Sequence, residues 1–249
     1  TMGRKYADSP IIEVVCDFWL PPDDSKWDLT ISGLIYEKVR EKFPNKEQRI
    51  VQDLSISQTS PQGIKQEVRT SERIHFISEK KNNFVQVGTN LLAINCLKPY
   101  PTWDEFKPNI EYAYKALTRT IDIKRFQRIG LRYINKIEIP NKAIDLGEFF
   151  EFRPFMGQHL PQNTTDFIVG CLFSFYDGRD SCRVQLTNAV PEKPDNLGFL
   201  LDLDYFLAKT EEVSLEKALE WVEDAHREVE KIFEGCITDR LREIFQEVK

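Results

Sequence analysis

The sequence lacks any apolar run long enough to cross a bilayer, for which a helix needs roughly 18 or more consecutive apolar residues. No apolar leader segment follows the polar first residues either. We therefore expect a cytoplasmic protein that makes no contact with membranes.

Catalytic and cofactor signatures are missing as well. The chain contains no Walker A sequence, no Gly-x-Gly-x-x-Gly fingerprint, no Gly-x-Ser-x-Gly elbow and no His-x-x-x-His or His-Glu-x-x-His pair. These motifs position the reacting groups of NTPases, dinucleotide-binding enzymes, α/β hydrolases and zinc peptidases. We expect no cofactor, and the sequence identifies no catalytic residue.

Cysteine pairs at metal-binding spacing are also absent. The five cysteines are widely spaced, their number is odd, and no Cys-x-x-Cys occurs. All but Cys236 lie in apolar runs that resemble strands, so we expect buried thiols in a reducing compartment. No metal site is predicted; His159 and Asp166 are the first candidates for one that assembles in space.

Acidic residues exceed basic residues, 40 against 34, and the net charge is −6. General binding to nucleic acid depends on Lys and Arg side chains that neutralise phosphates. We therefore expect no general nucleic-acid binding, although a local basic stripe is compatible with this composition.

The first half of the chain has the order strand, helix, several strands, helix. Residues 10–20 are apolar and rich in β-branched side chains, which predicts a strand. Apolar residues at helical spacing follow from Trp27 to Phe43. Residues 49–97 favour strands, and the sequence Thr102-Trp-Asp-Glu105 has the capping-box pattern of a helix start.

The second half begins the same order again. Residues 126–139 predict a long strand, and Asp177-Gly178 is a hairpin signal between two apolar runs. An apolar stripe over residues 215–244 predicts a long helix, with a break or kink near Gly235.

We therefore predict an α+β fold with a curved antiparallel sheet backed by long helices. Residues 7–249 are expected to form a single globular domain. The shared element order fits two β-α-β-meander-α structural repeats, 7–122 and 123–249. This prediction of a repeat rests on element order, because the two halves share almost no sequence identity.

Charged residues alternate on the first strands of the two halves. Aligning the prolines that end these strands matches Glu13 with Arg132 and Asp17 with Lys136, and Arg128 shares the face of the two other bases. One interpretation is a polar cleft on the open sheet face that binds an anionic or polar ligand. The other is a ladder of cross-strand ion pairs, each contributing about 0.2–1 kcal/mol.

A loop at residues 152–161 is a second candidate site, because it combines aromatic side chains and glycine with Arg153 and His159. Loops of this length and composition are often functional. The alternative is a loop that only packs over the end of the sheet.

The last helix carries alternating acids and bases outside its apolar stripe. Such a surface is typical of a solvated face with pairs of opposite charge. The alternative is a surface for a protein partner.

Two segments, Ser9-Pro10-Ile11-Ile12-Glu13 and Arg128-Ile-Gly-Leu-Arg-Tyr-Ile-Asn135, resemble the signatures of an uncharacterised, sporadically distributed prokaryotic family of about this length. The resemblance covers nearly the whole chain, and its Arg-Tyr-Ile-Asn motif is the more specific of the two. It implies no particular activity. The sporadic distribution implies an accessory role such as defence.

The sequence favours a binding or interaction protein, with a small hydrolase or nuclease that uses a nonstandard site as the alternative. The expected partner is a small anionic or polar ligand, or a protein that binds the C-terminal helix, and the oligomeric state stays open. The candidate ligand-binding residues are Glu13, Asp17, Arg128, Arg132, Lys136, Arg153 and His159.

Overall fold

The structure is a computed structural model that describes residues 4–23, 26–57, 65–140, 143–161 and 164–248. The strands are β1 (Lys5–Tyr6), β2 (Ile11–Trp19), β3 (Asn45–Ser57), β4 (Lys65–Ile77), β5 (Asn83–Gly88), β6 (Leu91–Leu97), β7 (Arg128–Pro140), β8 (Ile168–Phe175), β9 (Asp180–Ala189), β10 (Asn196–Leu207) and β11 (Glu247–Val248). The helices are α1 (Thr30–Val39), α2 (Trp103–Thr118), α3 (Ala218–Cys236) and α4 (Asp239–Ile244).

Nine strands form one open sheet in the order β3-β4-β5-β6-β2-β7-β10-β9-β8. Every neighbouring pair in it is antiparallel. The short strands β1 and β11 pair separately. Helix α1 packs against β4, α2 against β6, and α3 against β7 and β10. The predicted α+β class is therefore confirmed.

Strand β2 shows why the sheet has one buried face. Val14, Cys16 and Phe18 are fully buried, whereas the residues between them are half-buried. Alternate residues of a strand point to opposite faces, so the apolar set turns toward the helices. Burying an aromatic or large aliphatic side chain contributes about 1.5–3 kcal/mol, which fixes this orientation.

Strand β7 follows the same alternation and carries one buried polar residue toward the helices. Asn135 is 1% exposed, and its side-chain amide donates to the carbonyl oxygen of Leu201 on β10 at 3.1 Å. A buried amide needs such a partner, so the role of Asn135 is structural.

The two central strands, β2 and β7, separate two similar strand orders. Strand β6 flanks β2 and leads into α2, while β10 flanks β7 and leads into α3. The first half adds β3, and it has α1 where the described second half has a short 3-10 helix, Leu146–Glu148. The division into repeats 7–122 and 123–249 stays a prediction.

Local sequence signals explain several element ends. Thr102 caps α2, because its hydroxyl accepts a hydrogen bond from the Glu105 backbone N–H at 3.3 Å. The Asp177-Gly178 signal does join β8 to β9, with positive φ angles of 54° and 84°. The last helix is interrupted next to Gly235, where the sequence predicts a break or kink, since α3 ends at Cys236 and α4 begins at Asp239.

One prediction about the cysteines is wrong. Cys171 is exposed, while Cys16, Cys96, Cys182 and Cys236 are buried thiols as expected. Cys171 lies on β8, which forms one edge of the sheet. This strand has an apolar sequence, but its side chains are not covered by other elements at that edge. Within the described ranges, no helix is both long and apolar enough to cross a membrane.

Candidate functional site

Five of the seven predicted site residues lie together on the sheet face opposite the helices. Glu13 and Asp17 are on β2, while Arg128, Arg132 and Lys136 are on β7. These strands are neighbours, and residues directly opposite each other share a face. Asp202 and Asp204 of β10 lie on the same face, because they pair with Ile134 and Arg132. We call these seven residues the central charged face.

Arg128 connects the three strands of this face. Its Nε donates to Asp17 Oδ1 at 3.1 Å, and its Nη2 donates to Asp204 Oδ1. The guanidinium also lies 4.7 Å from the ring centre of Phe206. Arg128 is thus held between a carboxylate from each neighbouring strand and an aromatic ring.

Gly130 makes this position of Arg128 accessible. A Cβ on Gly130 would lie 2.5 Å from Arg128 Nη2 and 2.7 Å from Asp17 Oδ1. Real Cβ atoms do not approach so closely, so the glycine leaves the space in which the ion pair forms. Any larger residue would displace the guanidinium from Asp17.

Arg132 makes a bidentate ion pair with β10. Its Nε donates to Asp202 Oδ1 at 2.8 Å and its Nη2 donates to Asp202 Oδ2 at 2.5 Å. The Arg132 side chain is 46% exposed, against 27% for Arg128. It is therefore the arginine of this face that solvent and ligands reach most readily.

The ion pairs differ from those that the alignment of the two halves predicts. Glu13 lies opposite Ile134, and Asp17 lies opposite Gly130. The antiparallel register therefore pairs Asp17 with Arg128 and leaves Arg132 to β10. Lys136 lies 3.8 Å from Glu138 and 3.4 Å from Glu192.

Glu13 contacts an amide in place of a cation. Asn95 Nδ2 donates to Glu13 Oε1 at 2.6 Å, and Gln86 Nε2 donates to Asn95 Oδ1 at 2.6 Å. Arg73 Nη1 completes the row by donating to Gln86 Oε1 at 3.2 Å. Within the described residues, the Glu13 carboxylate has no cationic group within ion-pair distance.

Burial and charge set the protonation of this face. Burial raises the pKa of the Asp17 carboxyl, and Asp204 raises it further against the lowering effect of Arg128. Burial alone would lower the pKa of Arg128. The negative charges of Asp17 and Asp204 have a larger effect in the opposite direction, so the pKa of Arg128 is raised. The hydrogen bonds from Arg132 to Asp202 raise the pKa of Arg132. Both arginines are therefore fixed cations.

Arg153 and His159 do not join this face in the described part of the structure. Arg153 Nη1 donates to the carbonyl oxygens of Phe150 and Glu151, at 2.8 and 3.3 Å, and so holds its own loop. His159 is exposed. Both residues lie in the long connection between β7 and β8. The sequence alone does not show where such a connection runs relative to the sheet.

A second polar cluster, on the helix side of the sheet, was missed by the sequence analysis. Tyr133 Oη lies 2.9 Å from His226 Nδ1 and 3.4 Å from Tyr100 Oη. The His226 ring stacks on Trp103 at 4.1 Å, and its Nε2 lies 3.5 Å from Glu230 Oε1. The position of His226 in the apolar stripe of α3 was the only sequence signal for it.

Burial lowers the pKa of His226 to about 4, although Glu223 and Asp104 act in the opposite direction. The imidazole is therefore neutral near pH 7. No three His, Cys, Asp or Glu side chains group as metal ligands in the part of the chain that the structure describes. His159 and Asp166, which the sequence analysis named as an example, belong to no such group among the described residues.

Comparison of the chain with protein-family models, curated proteins and solved structures found no match. The resemblance to a sporadically distributed prokaryotic family, and the accessory role that it implies, stay predictions.

Proposed function

We propose that this is a binding protein that holds a small polar ligand on the central charged face. The observation that carries the proposal is the position of Glu13. Its carboxylate lies among fixed charges, accepts a hydrogen bond from Asn95 and has no ion-pair partner among the described residues. A ligand with a cationic or hydrogen-bond-donating group would supply that partner.

The charges of the face favour a ligand that carries both donors and acceptors. Four carboxylates share the face with three cations, namely Glu13, Asp17, Asp202 and Asp204 against Arg128, Arg132 and Lys136. A simple anion would meet more carboxylates than cations. A zwitterion can place its cationic group near Glu13 and its anionic group at the exposed side of Arg132. The sequence predicts an anionic or polar ligand, and we propose that it is a zwitterion.

A purely structural ladder of ion pairs is the competing interpretation. Exposed pairs of this kind contribute about 0.2–1 kcal/mol each, so Arg132 and Asp202 would add little to stability. A ladder of ion pairs also does not explain why the Glu13 carboxylate has no cationic partner among the described residues. The bidentate geometry and the row of hydrogen bonds ending at Glu13 hold the groups in fixed positions, which lowers the entropic cost of binding a ligand.

Native mass spectrometry of the full chain tests the proposal. We expect an extra small mass that is released on denaturation, and we expect Arg132→Ala to lose it. A ligand present at about a hundred times its Kd adds about 2.7 kcal/mol to stability, which is a rise in Tm of about 5–10 °C for a chain of this size. A screen of amino acids, dipeptides, nucleotides and sugars by thermal shift would identify the class.

Arg240→Ala is the matched control, because Arg240 also pairs with a carboxylate, Glu148, at 2.6 Å but lies on α4. This variant should keep the ligand. The proposal is wrong if the native mass is a whole multiple of the chain mass, with no added mass, and no compound in the screen raises the Tm of the unmodified protein. Equal loss in both variants would also contradict it.

The alternative of a small hydrolase or nuclease would rest on the Tyr133–His226 pair, a neutral imidazole next to a hydroxyl. Tyr133 is 6% exposed and His226 is 8% exposed, so their atoms have little access to a substrate. The central charged face is open to solvent by comparison. Binding is therefore the function that this geometry supports better.

The C-terminal helix gives weaker support for a protein partner. On the polar side of α3, Lys231 pairs with Glu228 at 2.7 Å and Arg227 pairs with Asp224. Charges that are satisfied within one helix are typical of a solvated face. The proposal therefore does not depend on this surface.

A further inference from the structure

We infer that two copies of this chain pair through β8, so that their large sheets join edge to edge about a two-fold axis. This inference is independent of the proposed ligand. It rests on the sequence of β8, on its place at the edge of the sheet and on the apolar groove beside it.

Strand β8 is an edge without protection. Among the described segments it pairs with β9 alone. None of its eight residues, Ile168–Phe175, is charged or proline, and its register with β9 continues without a bulge. Ile168 is 76% exposed and Leu172 is 61% exposed. An exposed, regular and apolar edge strand presents free backbone groups that another strand can pair with.

The opposite edge shows the contrast. Strand β3 ends the sheet on the other side and carries Lys46, Glu47 and Arg49. Charged side chains on an edge strand are a common means of preventing edge-to-edge association. The chain therefore has this protection at one edge and lacks it at β8.

The chemistry of β8 fits a second copy of itself. A two-fold axis perpendicular to the sheet places two β8 strands antiparallel and keeps each face on its own side. With the axis at Cys171, Leu172 of each copy lies opposite Gly170 and diagonal to Ile168 of the other copy on one face. On the other face the two Cys171 side chains lie opposite each other, with Phe173 diagonal to them. Strand β8 carries no charged residue, so no like charges meet when it pairs with a second copy of itself.

A groove next to β8 extends this apolar surface on the helix side. It has a cavity volume of about 260 Å³ and is lined mainly by Phe152, Phe173, Phe175, Ile232 and Cys236. Phe173, at 42% exposed, lies at its rim on β8. A paired copy would cover that rim and remove its apolar surface from water, which favours association.

Light scattering of the full chain tests the inference. We expect a mass near twice the 29.2 kDa of one chain. Leu172→Lys would place two ammonium groups near the axis and should shift the protein to single chains, with at least a tenfold weaker association. Leu172 is exposed, so the Tm of this variant at low concentration should stay close to that of the unmodified single chain.

Ile50→Lys is the matched control, because Ile50 is a 69% exposed apolar residue on the other edge strand, β3. It should leave the dimer intact. Mild oxidation provides a second readout, since Cys171 is the exposed thiol among the described cysteines. We expect a reducible cross-linked dimer that Cys171→Ser abolishes.

Three results would overturn the inference. The first is an unmodified protein that has the mass of one chain at tens of micromolar. The second is a dimer that Ile50→Lys and Leu172→Lys weaken equally. The third is a dimer that survives Leu172→Lys and shows no cross-link at Cys171.

Discussion

At the residue scale, Gly130 leaves the space in which the ion pair between Arg128 and Asp17 forms. We expect Gly130→Ala to push the Arg128 guanidinium away from Asp17, since the new Cβ would lie 2.5 Å from Arg128 Nη2. The close atoms are the ends of the Arg128 and Asp17 side chains, so they can move apart, and the main loss is their ion pair, about 1 kcal/mol. Urea unfolding should therefore show a lower free energy of unfolding, and ligand binding should weaken with it.

Gly170→Ala is the control for Gly130, because it is also a strand glycine on the open face. Its added Cβ would have no neighbour nearer than 3.8 Å. Both variants should be compared at equal concentration, since Gly170 lies on β8. If Gly130→Ala is no less stable than Gly170→Ala, the close contact is relieved without cost and the role given to Gly130 is wrong.

The buried imidazole of His226 predicts how stability depends on pH. Its pKa is lowered from 6.5 to about 4, so the unfolded chain binds a proton that the folded chain does not over this interval. The stability that depends on neutral His226 is fully present above pH 6.5 and is lost as the pH falls toward 4. It amounts to about 3 kcal/mol.

Unfolding measured at several pH values in this window tests the role of His226. His226→Gln should flatten the curve between pH 6.5 and 4, whereas His159→Gln removes an exposed histidine and should leave it unchanged. Comparison with the unmodified protein cancels the effect of Asp17, whose pKa burial raises. Glu230, whose pKa burial also raises, lies 3.5 Å from His226, so its effect is counted with that of the histidine. A steep curve retained in His226→Gln would assign the dependence to other groups.

Alternation along single strands predicts which side chains share a face, but it does not identify their partners. Glu13 and Asp17 were placed together correctly, as were Arg128 and Arg132. The partners of the arginines, Asp202 and Asp204, come from a strand about 70 residues away. Their register is fixed by packing between distant strands, which one sequence does not reveal.

At the element scale, the strong local signals gave the right elements. The capping box begins α2 at Trp103, and the Asp177-Gly178 turn joins β8 to β9. Gly235 indicated a break in the last helix, and the backbone does turn at Ile237, although the apolar stripe continues into α4. Phe150 bridges to Ile237 at that point, a tertiary contact that overrides the helical pattern.

The exposure of β8 was also not predictable from the sequence. A short apolar run predicts a strand that is covered on at least one face, and this led to the expectation that Cys171 is buried. Whether such a strand lies inside a sheet or at its edge depends on the order of all nine strands. A strand of this composition at an edge points to a partner that covers it.

At the scale of the whole molecule, the central charged face and the β8 edge lie on separate parts of the sheet. The central charged face lies on β2, β7 and β10, and β9 stands between it and the β8 edge. The helices cover the opposite face and leave the charged face to solvent. A ligand on the face and a second copy at the edge would therefore not compete.

This arrangement predicts that ligand binding and dimer formation are separable. We expect Arg132→Ala to lose the ligand and keep the mass of a dimer, because Asp202 lies two strands and Arg132 three strands away from β8. Leu172→Lys should do the reverse. Both variants should be examined by native mass spectrometry and by light scattering. If Leu172→Lys lost the ligand together with the dimer, the site would need residues from both copies, and the assignment to one chain would be wrong. If Arg132→Ala also dissociated the dimer, the two surfaces would be coupled through β9 and β10.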